Sequence, residues 1–422
     1  MKIKLSPAKL KGTVAAVSSK SDVHRLLIAA ALSDGETVIR CNGICDDIEA
    51  TADCLNALGA KIEISDGKIT VRPIEKPAGK AELNCRDSGS TLRFLMPVAA
   101  ALGTEAKFIC SKQLQSRPIL PLRRELESHE IEFTPPWQFP VEIKGKLESG
   151  KYQLHGNVSS QFITGLLFAL PLLDGDSSLR LIPPVESRPY IDMTLGTLKE
   201  FGIEIEENDN IFSIKGNQKY ITPKEVEAEG DWSNAAFFLT AGALGGDVTV
   251  TGLDFNSLQG DKAVLDRLSE MGACVEKSGD SVRVTGGELH GISFPAENIP
   301  DLVPVLSVAG ASAKSGLTVV TKAERLRLKE SNRLGAISEC LNNIGCVNAE
   351  TDDGLIIWSG EPLYGGEVFS FDDHRIVMSM AVAAGVATGD ITVRNAEAVA
   401  KSYPSFFEDY RALGGKADVI DD

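Results

Sequence analysis

The stretch LNALGAKIEISDGKITV, residues 55–71, decides the fold because its pattern recurs along the chain. It reads as the end of an apolar helix, then a glycine, then two short strands that meet at Asp-Gly. A glycine just after the last apolar residue typically ends a helix in the left-handed conformation, and Asp-Gly is typical of tight hairpin turns. The same pattern returns at residues 198–214, 268–284 and 341–358. It therefore predicts a repeated unit that contains a helix followed by a hairpin.

A second landmark gives the length of the repeat. Six times, a helix-like run ends in small residues and is followed by a glycine and a β-branched strand. The successive glycines lie 68 to 73 residues apart and are Gly35, Gly103, Gly175, Gly246, Gly316 and Gly389. Each unit then reads strand, polar loop, helix, strand, helix, strand, strand. A single unit cannot bury both faces of its sheet, so we predict an α/β (α+β) fold of two domains, each built from three βαβαββ units.

The domain boundaries follow from where the units divide. We expect residues 18–228 to form an N-terminal domain, and residues 1–17 with 229–422 to form a C-terminal domain. The sixth unit, RALGGKADVI at 411–420, is cut short, so an N-terminal strand is expected to complete the C-terminal domain. The chain would then cross between the domains twice, which makes a hinge a natural expectation.

Composition limits the classes of function. The 422 residues carry a net charge of −16, which argues against nucleic acid or an anionic membrane as a partner. The N-terminus lacks a signal-peptide pattern and no run of about 18 apolar residues occurs, so a cytoplasmic protein is expected. The eight cysteines are scattered, which predicts buried free thiols, and no metal-ligand spacing is present.

Six equivalent polar loops precede the first helix of each unit. Each places Ser, Asp, Asn or Gly before an apolar run, and helix capping alone would explain those residue types. Capping does not require Lys or Arg beside the cap, however, and a helix N-terminus with added cations suits phosphate or carboxylate. If loops from both domains face one another, several anion sites would converge. The loops are residues 18–25, 86–93, 156–162, 230–237, 297–304 and 371–378.

Further charged residues lie in connecting segments. LQSRPILPLRRE contains Arg117, and VAKSYPSFF contains Lys401. ERLRLKESNRL could be an exposed charged helix start, but its alternating leucines require part of it to lie against a core. Glu330, between Lys329 and Arg333, would keep its carboxylate near cations, where proton transfer can be tuned.

SSKSDVHR, residues 18–25, places Lys20-Ser21 before a helix, as a phosphate loop does. The glycines of GxxxxGK[ST] are missing and no GxGxxG occurs, so we predict that no nucleotide triphosphate binds. His24 has no assigned role, and we expect it to be exposed to solvent.

At this point the motifs identify a family. The chain resembles the 5-enolpyruvylshikimate-3-phosphate synthases over essentially its whole length, through SSKSDVHR, DSGSTLR, SRPI, GNVSSQF, SRPYIDMTL, EGDWSNAAFFL, IPDLVPVL, LRLKESNR, DDHRIVMSMAV and KSYPSFFE. The resemblance implies an inside-out barrel in each domain. It also implies transfer of the enolpyruvyl group of phosphoenolpyruvate to the 5-hydroxyl of shikimate 3-phosphate, with release of phosphate. No metal, no organic cofactor and a monomer are implied.

The resemblance also implies the site residues. Those for phosphoenolpyruvate are Lys20, Gly89, Arg117, Gln161, Arg333, Arg375 and Lys401. Those for shikimate 3-phosphate are Lys20, Ser21, Arg25, Ser159, Ser160, Gln161, Ser187, Asp301, Arg325 and Lys329, with Tyr190 lining the pocket. Glu330 is expected to be the general acid and Asp301 the general base, with Lys20 as a further proton carrier. Because both substrates are anions, an acidic protein must concentrate its cations locally.

The chain departs from the family pattern at two places. Asp87-Ser88-Gly89-Ser90 replaces the usual Asn-Ala-Gly-Thr, and we expect Asp87 to pair with Arg86 or Arg93. Arg325 stands where the family has Asn. Gly89 is retained, which leaves room for phosphoenolpyruvate or the inhibitor glyphosate, so sensitivity to glyphosate stays an open question.

Two alternative functions remain at this stage. UDP-N-acetylglucosamine enolpyruvyl transferase has the same fold and donor, but it has Lys-Asn where this chain has Lys20-Ser21, and it uses a catalytic cysteine on a loop. Cys110 lies in a comparable region, but AKFICS is typical of a strand, so we expect Cys110 to be structural. A non-catalytic binder of phosphorylated metabolites would need the loops but not both carboxylates.

Overall fold

The structure is a computed structural model that describes residues 1–135 and 138–420. The chain forms two compact units, each with its own hydrophobic core. We call residues 20–228 the N-terminal unit, and residues 1–19 with 229–422 the C-terminal unit. The chain passes from one unit to the other between residues 19 and 20 and again between 228 and 229.

The helices and strands follow the repeat along the whole chain. The α-helices are α1 Lys20–Leu32, α2 Asp46–Leu58, α3 Gly89–Ala101, α4 Lys112–Gln115, α5 Leu120–Glu127, α6 Ser160–Ala169, α7 Arg188–Glu200, α8 Trp232–Ala243, α9 Val264–Met271, α10 Val303–Ala311, α11 Arg333–Asn343, α12 His374–Ala384 and α13 Phe406–Ala412. The strands up to the end of the N-terminal unit are β1 Lys2–Ser6, β2 Lys11–Ala15, β3 Thr37–Arg40, β4 Lys61–Ser65, β5 Lys68–Arg72, β6 Lys80–Asn84, β7 Glu105–Ile109, β8 Glu132–Thr134, β9 Val141–Lys144, β10 Lys151–His155, β11 Ser177–Ile182, β12 Ile205–Asn208, β13 Ile211–Ile214 and β14 Glu225–Glu227. The later strands are β15 Asp247–Thr251, β16 Cys274–Ser278, β17 Ser281–Thr285, β18 Ser293–Pro295, β19 Leu317–Thr321, β20 Asn348–Glu350, β21 Leu355–Trp358, β22 Gly366–Phe369, β23 Ile391–Arg394 and β24 Lys416–Ile420.

The strands of the described residues form six four-stranded sheets with one common pattern. In each sheet one edge strand pairs in parallel with its neighbour, and the other two pairings are antiparallel. The strand orders are β14-β3-β5-β4, β6-β7-β9-β8 and β10-β11-β13-β12 in the N-terminal unit, and β16-β17-β15-β2, β18-β19-β21-β20 and β22-β23-β1-β24 in the C-terminal unit. The predicted repeat of three βαβαββ units in each half is therefore confirmed.

The glycine and hairpin of residues 55–71 form as predicted. Helix α2 ends at Leu58, and Gly59 caps it in the left-handed conformation with φ 118°. Strands β4 and β5 then pair in the antiparallel hairpin, with Gly67 in the turn at φ 73°. A side chain at either glycine would be strained by that φ value, so the pattern fixes where each helix stops and each hairpin begins.

Three helices in each unit are buried on nearly every side. They are α1, α3 and α6 in the N-terminal unit and α8, α10 and α12 in the C-terminal unit. A helix that is apolar all round must lie inside a core, so these six occupy the centres and the sheets lie outside them. The polar loops that precede them are thereby brought to the starts of buried helices.

The N-terminal segment supplies strands to the C-terminal unit. Strand β1 lies between β23 and β24 and is antiparallel to both. Strand β2 pairs in parallel with β15, whereas β14, which precedes the second crossing, pairs in parallel with β3. Two segments, rather than the single strand expected, therefore complete the C-terminal unit. Among the described residues, no helix has the length and apolar character needed to cross a bilayer.

Candidate active site

Four of the six polar loops cap their helices with the predicted residue types. Each side-chain oxygen accepts a hydrogen bond from a backbone N–H in the first turn, as is usual for a cap. The caps are Ser88 (from Thr91, 3.3 Å), Ser159 (from Gln161, 3.3 Å), Asp231 (from Asn234, 2.7 Å) and Asp373 (from Arg375, 3.0 Å). Helix α10 differs, because Leu302 occupies the cap position and makes no side-chain cap bond. The carboxylate of Asp301 is therefore available for other contacts.

Lys20, the first residue of α1, lies against a carboxylate of the N-terminal unit. Its Nζ is 2.9 Å from Oδ2 of Asp47, and both side chains are largely buried. A carboxylate this close offsets part of the cost of burying the ammonium. Sequence reasoning missed Asp47, because an acidic residue in the first turn of a helix is common for dipole reasons alone.

Arg25 is held by backbone and side-chain acceptors of α1 and α7. It is 2% exposed, and it donates through Nε to Thr194 (3.0 Å) and through Nη2 to the carbonyl of Tyr190 (2.8 Å). Burial lowers the pKa of Arg25 to about 10, which still leaves it charged at neutral pH. The guanidinium is therefore a fixed cation beside α7.

Ser187 precedes α7 in an unusual conformation. It is buried and has φ 55°, in the left-handed region that residues with a side chain rarely adopt. Such strain is common where a side chain must be aimed at a ligand. Ser187 is one of the predicted shikimate 3-phosphate residues, and Tyr190 lies one turn further along the same helix.

A second basic group gathers around Gln161. Arg93, which is 4% exposed, donates to Oε1 of Gln161 (2.6 Å) and to the carbonyl of Pro118 (3.0 Å). Gln161 in turn donates through Nε2 to the hydroxyl of Ser90 (2.9 Å). Arg93 therefore ties the start of α6 to the segment that carries Arg117.

Gly89 lies directly against Arg117. A Cβ atom at Gly89 would be only 2.9 Å from Nη1 and 3.2 Å from Cζ of that guanidinium. Since real Cβ contacts this short essentially never occur, the space beside Arg117 exists because residue 89 has no side chain. The structure thus brings two of the predicted phosphoenolpyruvate residues into contact.

In the C-terminal unit, Arg333 is surrounded by carboxylates. It is 1% exposed and contacts Asp301 at 2.6 Å, Glu330 at 2.6 Å and Asp373 at 2.8 Å. The two predicted proton-transfer residues, Asp301 and Glu330, are therefore joined through one guanidinium. The sequence places Asp373 in a polar loop before α12, but no local pattern indicates its contact with Arg333.

Asp301 faces further cations besides Arg333. Its Oδ2 is 3.5 Å from Nη2 of Arg375, and its Oδ1 is 3.9 Å from Nζ of Lys329. Burial would raise the pKa of Asp301, but Lys329, Arg375 and Arg333 together hold it well below its usual value. The carboxylate is therefore ionised at neutral pH.

Lys329 is itself perturbed by these surroundings. Burial lowers the pKa of Lys329 to about 8, although the charge of Asp301 opposes this shift, and the positive charges of Arg333 and Arg325 add to it. Arg325 lies half-buried in the 3-10 turn Glu324–Leu328. Lys401 is buried at the end of another 3-10 turn, Ala396–Lys401.

Asp261 is a buried carboxyl group that the sequence did not single out. It is 2% exposed and accepts a hydrogen bond from Ser233. Burial, with a smaller contribution from the charge of Asp301, raises the pKa of Asp261 to about 7. Among the described residues, no group of three or more His, Cys, Asp or Glu is arranged to hold a metal ion.

The prediction that His24 is exposed is wrong. The side chain is 0% exposed, because α1 is a central helix packed on all sides. Its Nδ1 has a hydrogen-bond partner in the Thr51 hydroxyl at 2.7 Å, which makes burial of the ring possible. Sequence reasoning placed His24 with its charged neighbours instead of with the apolar run that follows it.

The residues that depart from the family pattern have partners of their own. Asp87 accepts a hydrogen bond from Ser111 at 2.6 Å, and Arg86 pairs with Glu49 at 2.9 Å and Asp53 at 2.7 Å.

Seven of the eight cysteines are buried, and Cys274 is exposed. Burial raises the pKa of Cys110 to about 12, which makes its thiol a poor nucleophile at neutral pH.

Solved structures define the class of protein. The enolpyruvyl transferase NikO from Streptomyces tendae superposes with a TM-score of 0.79 over 99% of this chain and 98% of that one, and at 18% identity this likeness shows the fold alone. An EPSP synthase from Acinetobacter baumannii superposes with a TM-score of 0.82 over 99% of this chain and 100% of that one, at 27% identity. The fold is that of the enolpyruvyl transferases, with the two domains that the repeat predicted and the inside-out arrangement that the resemblance implied.

Sequence comparison narrows this class to one family. A family model for EPSP synthase (3-phosphoshikimate 1-carboxyvinyltransferase) matches residues 5–410. The 3-phosphoshikimate 1-carboxyvinyltransferase of Clostridium kluyveri is 43% identical over an alignment of 425 residues that covers 99% of this chain and 98% of that protein. The chain belongs to the EPSP synthase family.

Proposed function

We propose that this member of the family uses two sets of side chains, one in each unit, to transfer the enolpyruvyl group of phosphoenolpyruvate to the 5-hydroxyl of shikimate 3-phosphate. Phosphate is the second product. The observation that carries the proposal is the cluster around Arg333, where a fixed cation joins two carboxylates suited to proton transfer. The motifs of the family and the family match support the same reaction.

The anionic groups of the two substrates are proposed to bind the fixed cations. Phosphoenolpyruvate is assigned to Lys20, Gly89, Arg117, Gln161, Arg333, Arg375 and Lys401. Shikimate 3-phosphate is assigned to Lys20, Ser21, Arg25, Ser159, Ser160, Gln161, Ser187, Asp301, Arg325 and Lys329, with Tyr190 beside it. Guanidinium groups suit carboxylate and phosphate because they can donate two parallel hydrogen bonds. The contacts of Arg93 with Gln161 and of Asp47 with Lys20 support these assignments, because they hold two of the substrate-binding side chains in place.

The proton transfers are assigned to the two carboxyl groups. Glu330 gives a proton to the methylene carbon of phosphoenolpyruvate, and Asp301 takes the proton of the 5-hydroxyl as its oxygen bonds to C2. In the second step the methyl carbon returns a proton to the carboxylate of Glu330, the double bond forms again, and the C2–O bond to phosphate breaks. Lys20 is the third proposed catalytic group and carries a proton to or from phosphate.

The low pKa of Asp301 bears on its role as a base. With Lys329, Arg375 and Arg333 around it, the carboxylate of Asp301 is ionised but weakly basic in the protein without substrate. Substrate phosphate and carboxylate groups that bind those cations would reduce their hold on Asp301 and raise its basicity. Fixed charges in a site that excludes water would then stabilise the charge that develops at C2.

A direct assay tests the reaction. Purified protein is mixed with phosphoenolpyruvate and shikimate 3-phosphate, and phosphate release is followed. We expect release with this acceptor and none with UDP-N-acetylglucosamine. A folded protein that releases no phosphate with either acceptor would indicate a non-catalytic binder.

Two substitutions test the proton-transfer roles. Asp301→Asn and Glu330→Gln are each expected to lower kcat by about a hundredfold or more, because general acid–base groups contribute on that scale. Glu339→Gln is the matched control, since Glu339 is an exposed carboxylate on α11, next to the same cluster in sequence. Turnover by either site variant at the rate of the control would contradict the assignment.

Cys110→Ser distinguishes the proposed activity from that of UDP-N-acetylglucosamine enolpyruvyl transferase, which uses a catalytic cysteine. We expect activity to be retained, because the Cys110 thiol is buried and protonated. Complete loss of activity with a folded protein would favour the enzyme that uses a catalytic cysteine.

The remaining assignments concern the state of the protein. We propose a cytoplasmic monomer with a hinge at the two crossings, and with these two metabolites, not nucleic acid or membrane, as its partners. The buried thiols and the net charge of −16 support this. Saturating shikimate 3-phosphate is expected to change the small-angle scattering profile, and an unchanged profile would contradict the hinge.

A further inference from the structure

Four buried polar side chains form a continuous hydrogen-bonded chain through three helices of the N-terminal unit. Nδ1 of His24 on α1 is 2.7 Å from Oγ1 of Thr51 on α2, and Oγ1 of Thr51 is 2.6 Å from Oγ1 of Thr91 on α3. Thr91 in turn is 2.7 Å from Oγ of Ser88, the cap residue of α3. All four side chains are 0% exposed.

The hydrogen bonds of this chain have one direction. The Thr91 hydroxyl donates its only proton to Ser88, so it must accept from Thr51, and Thr51 must accept from Nδ1–H of His24. His24 is therefore the neutral tautomer protonated at Nδ1. Burial lowers the pKa of His24 to about 3, so the ring stays neutral through the physiological range.

The two ends of the chain lie beside residues assigned to phosphoenolpyruvate. At one end, Ser88 caps α3, whose first residue, Gly89, lies against the guanidinium of Arg117. At the other end, His24 lies one helical turn after Lys20. Residues four apart share a helix face, so this end lies directly behind Lys20.

The same spacing recurs on the second helix. Thr51 lies one turn after Asp47 on α2, and Asp47 pairs with Lys20. The contact between His24 and Thr51 therefore runs parallel to the contact between Lys20 and Asp47, one turn deeper in the core. Together the two contacts fix the N-terminal ends of α1 and α2 against each other, next to Lys20.

Such a chain determines geometry more than stability. Replacing both partners of a buried hydrogen bond by apolar groups of the same shape can be nearly neutral in energy. A connected hydrogen-bond network instead favours one arrangement, because each short bond is directional. The described part of the chain shows no partner for Nε2 of His24, whose ring packs edge-on against Phe94. In the neutral Nδ1–H tautomer, Nε2 therefore buries an unpaired acceptor and not an unpaired N–H donor.

We propose that His24, Thr51, Thr91 and Ser88 are positioning residues that lock the starts of α1, α2 and α3 together. They thereby set where Lys20 lies relative to the contact between Gly89 and Arg117, and so determine the affinity for phosphoenolpyruvate. The inference rests on the proposed function for the assignment of those three residues to phosphoenolpyruvate. Shikimate 3-phosphate is also assigned to Lys20, Ser21 and Arg25 of α1, but Arg25 is held on α7 independently of this hydrogen-bonded chain. No residue of α3 is assigned to this substrate, so its affinity should change less than that for phosphoenolpyruvate.

Thr51→Val tests the middle of the chain. It removes the hydroxyl but retains the shape, and we expect KM for phosphoenolpyruvate to rise about tenfold through loss of two hydrogen bonds. KM for shikimate 3-phosphate should stay within about threefold, a change worth less than one typical hydrogen bond. Thr51→Ser retains the hydroxyl and should restore most of the affinity. Thr104→Val is the matched control, since Thr104 is 1% exposed and its hydroxyl donates to the carbonyl of Ala78, outside this hydrogen-bonded chain.

Two measurements do not depend on turnover. Calorimetric titration with phosphoenolpyruvate alone, without shikimate 3-phosphate so that no reaction occurs, compares affinity in the wild type and in Thr51→Val. Histidine nitrogen spectra, with the His24 signal assigned by its loss in His24→Asn, should show an Nδ1-protonated neutral ring between pH 5 and pH 8. The signal should shift in Thr51→Val and stay in place in Thr104→Val.

The outcomes separate this inference from the proposed function. Equal calorimetric affinity in the wild type and in Thr51→Val, with only a lower melting temperature, would overturn the positioning role alone. An Nε2-protonated His24 would overturn the direction of the chain and with it the proposal. A folded wild type that binds no phosphoenolpyruvate would overturn the proposed function and this inference together.

Discussion

Gly89 and Arg117 illustrate how a single position shapes the site. A methyl group at residue 89 would lie 2.9 Å from Nη1, so Gly89→Ala must displace the guanidinium of Arg117. We expect KM for phosphoenolpyruvate to rise about tenfold, the loss of one charged hydrogen bond, with KM for shikimate 3-phosphate nearly unchanged. Steady-state kinetics with each substrate varied in turn measures this.

Gly79→Ala is the control for that substitution. Gly79 lies in the same unit, and a Cβ there would have no atom within 4 Å. Both KM values should equal those of the wild type. If Gly89→Ala behaves like Gly79→Ala, then Arg117 can move without cost and does not bind phosphoenolpyruvate in the position described.

Lys329 predicts a pH dependence. Its pKa is lowered to about 8, mainly by burial, so its ammonium loses the proton as the pH rises through that value. The phosphate of shikimate 3-phosphate is fully ionised there, since the second pKa of such esters is about 6. The substrate would therefore lose a cation, and kcat/KM for shikimate 3-phosphate should fall above pH 8.

Lys329→Arg tests the origin of this alkaline limb. A guanidinium stays charged at every pH at which proteins are assayed. The profile of kcat/KM between pH 7 and pH 9.5 should therefore stay flat in the variant. An identical decline in wild type and variant would assign the titration to another group.

The cations assigned from the sequence share one property, which is that helix capping does not require their charge. Lys20, Arg25 and Arg375 could be found in this way, because each lies within one of the six polar loops. Their partners could not be found, because Asp47 and Thr194 are ordinary helical residues. Only the packing of α1 against α2 and α7 brings these partners within hydrogen-bonding distance.

At the level of elements, α12 shows how a helix start and the site depend on each other. Asp373, 0% exposed, caps α12 through the N–H of Arg375 and also accepts from Nε of Arg333 at 2.8 Å. Asp373→Ala loses both contacts, and we expect it to lower the free energy of unfolding by about 3 kcal/mol. Asp373→Asn can still cap the helix, so its loss should be smaller by about 1 kcal/mol.

Urea unfolding of three variants separates the two contributions of Asp373. Ser159→Ala serves as the comparison, because Ser159 caps α6 by the same kind of bond. It should cost about 1 kcal/mol, the usual value of a cap. If Asp373→Ala costs no more than Ser159→Ala, the contact with Arg333 does not contribute to stability.

The elements could largely be predicted from local patterns. The glycines that end α2 and α9 both adopt left-handed φ values, so local sequence was enough to stop those helices. The start of α10 could not be predicted in the same way. There Asp301 resembles a cap residue, but its carboxylate contacts Arg333 instead, and that partner comes from a distant part of the chain.

At the level of the whole molecule, the repeat predicts how many units form but not which strands they exchange. β2 and β14 have the same place in their units, yet β2 pairs with β15 and β14 pairs with β3. Local sequence cannot distinguish these pairings, because the partner of a parallel edge strand depends on which sheet lies next to it in the folded protein. The short sixth unit did indicate that residues near the N-terminus must complete it.

The pairing of β1 with β24 leads to a prediction about folding. Lys2 lies directly opposite Ile420, so a two-residue turn could join the ends of these strands into one hairpin. A permuted chain of residues 229–420, Asn-Gly and residues 2–19 should therefore fold by itself. It retains Ile3 and Leu5, which are 0% exposed in the core of the C-terminal unit.

Circular dichroism and urea unfolding test the permuted chain. We expect one cooperative transition for it, and none for residues 229–422 alone, because that fragment lacks the strand between β23 and β24. A permuted chain with Leu5→Lys is the control and should not fold, since a buried, unpaired ammonium at the centre of the sheet costs several kcal/mol. Equal stability of the permuted chain and the plain fragment would contradict a structural role for residues 2–19, and would mean that β24 can complete the sixth sheet without β1.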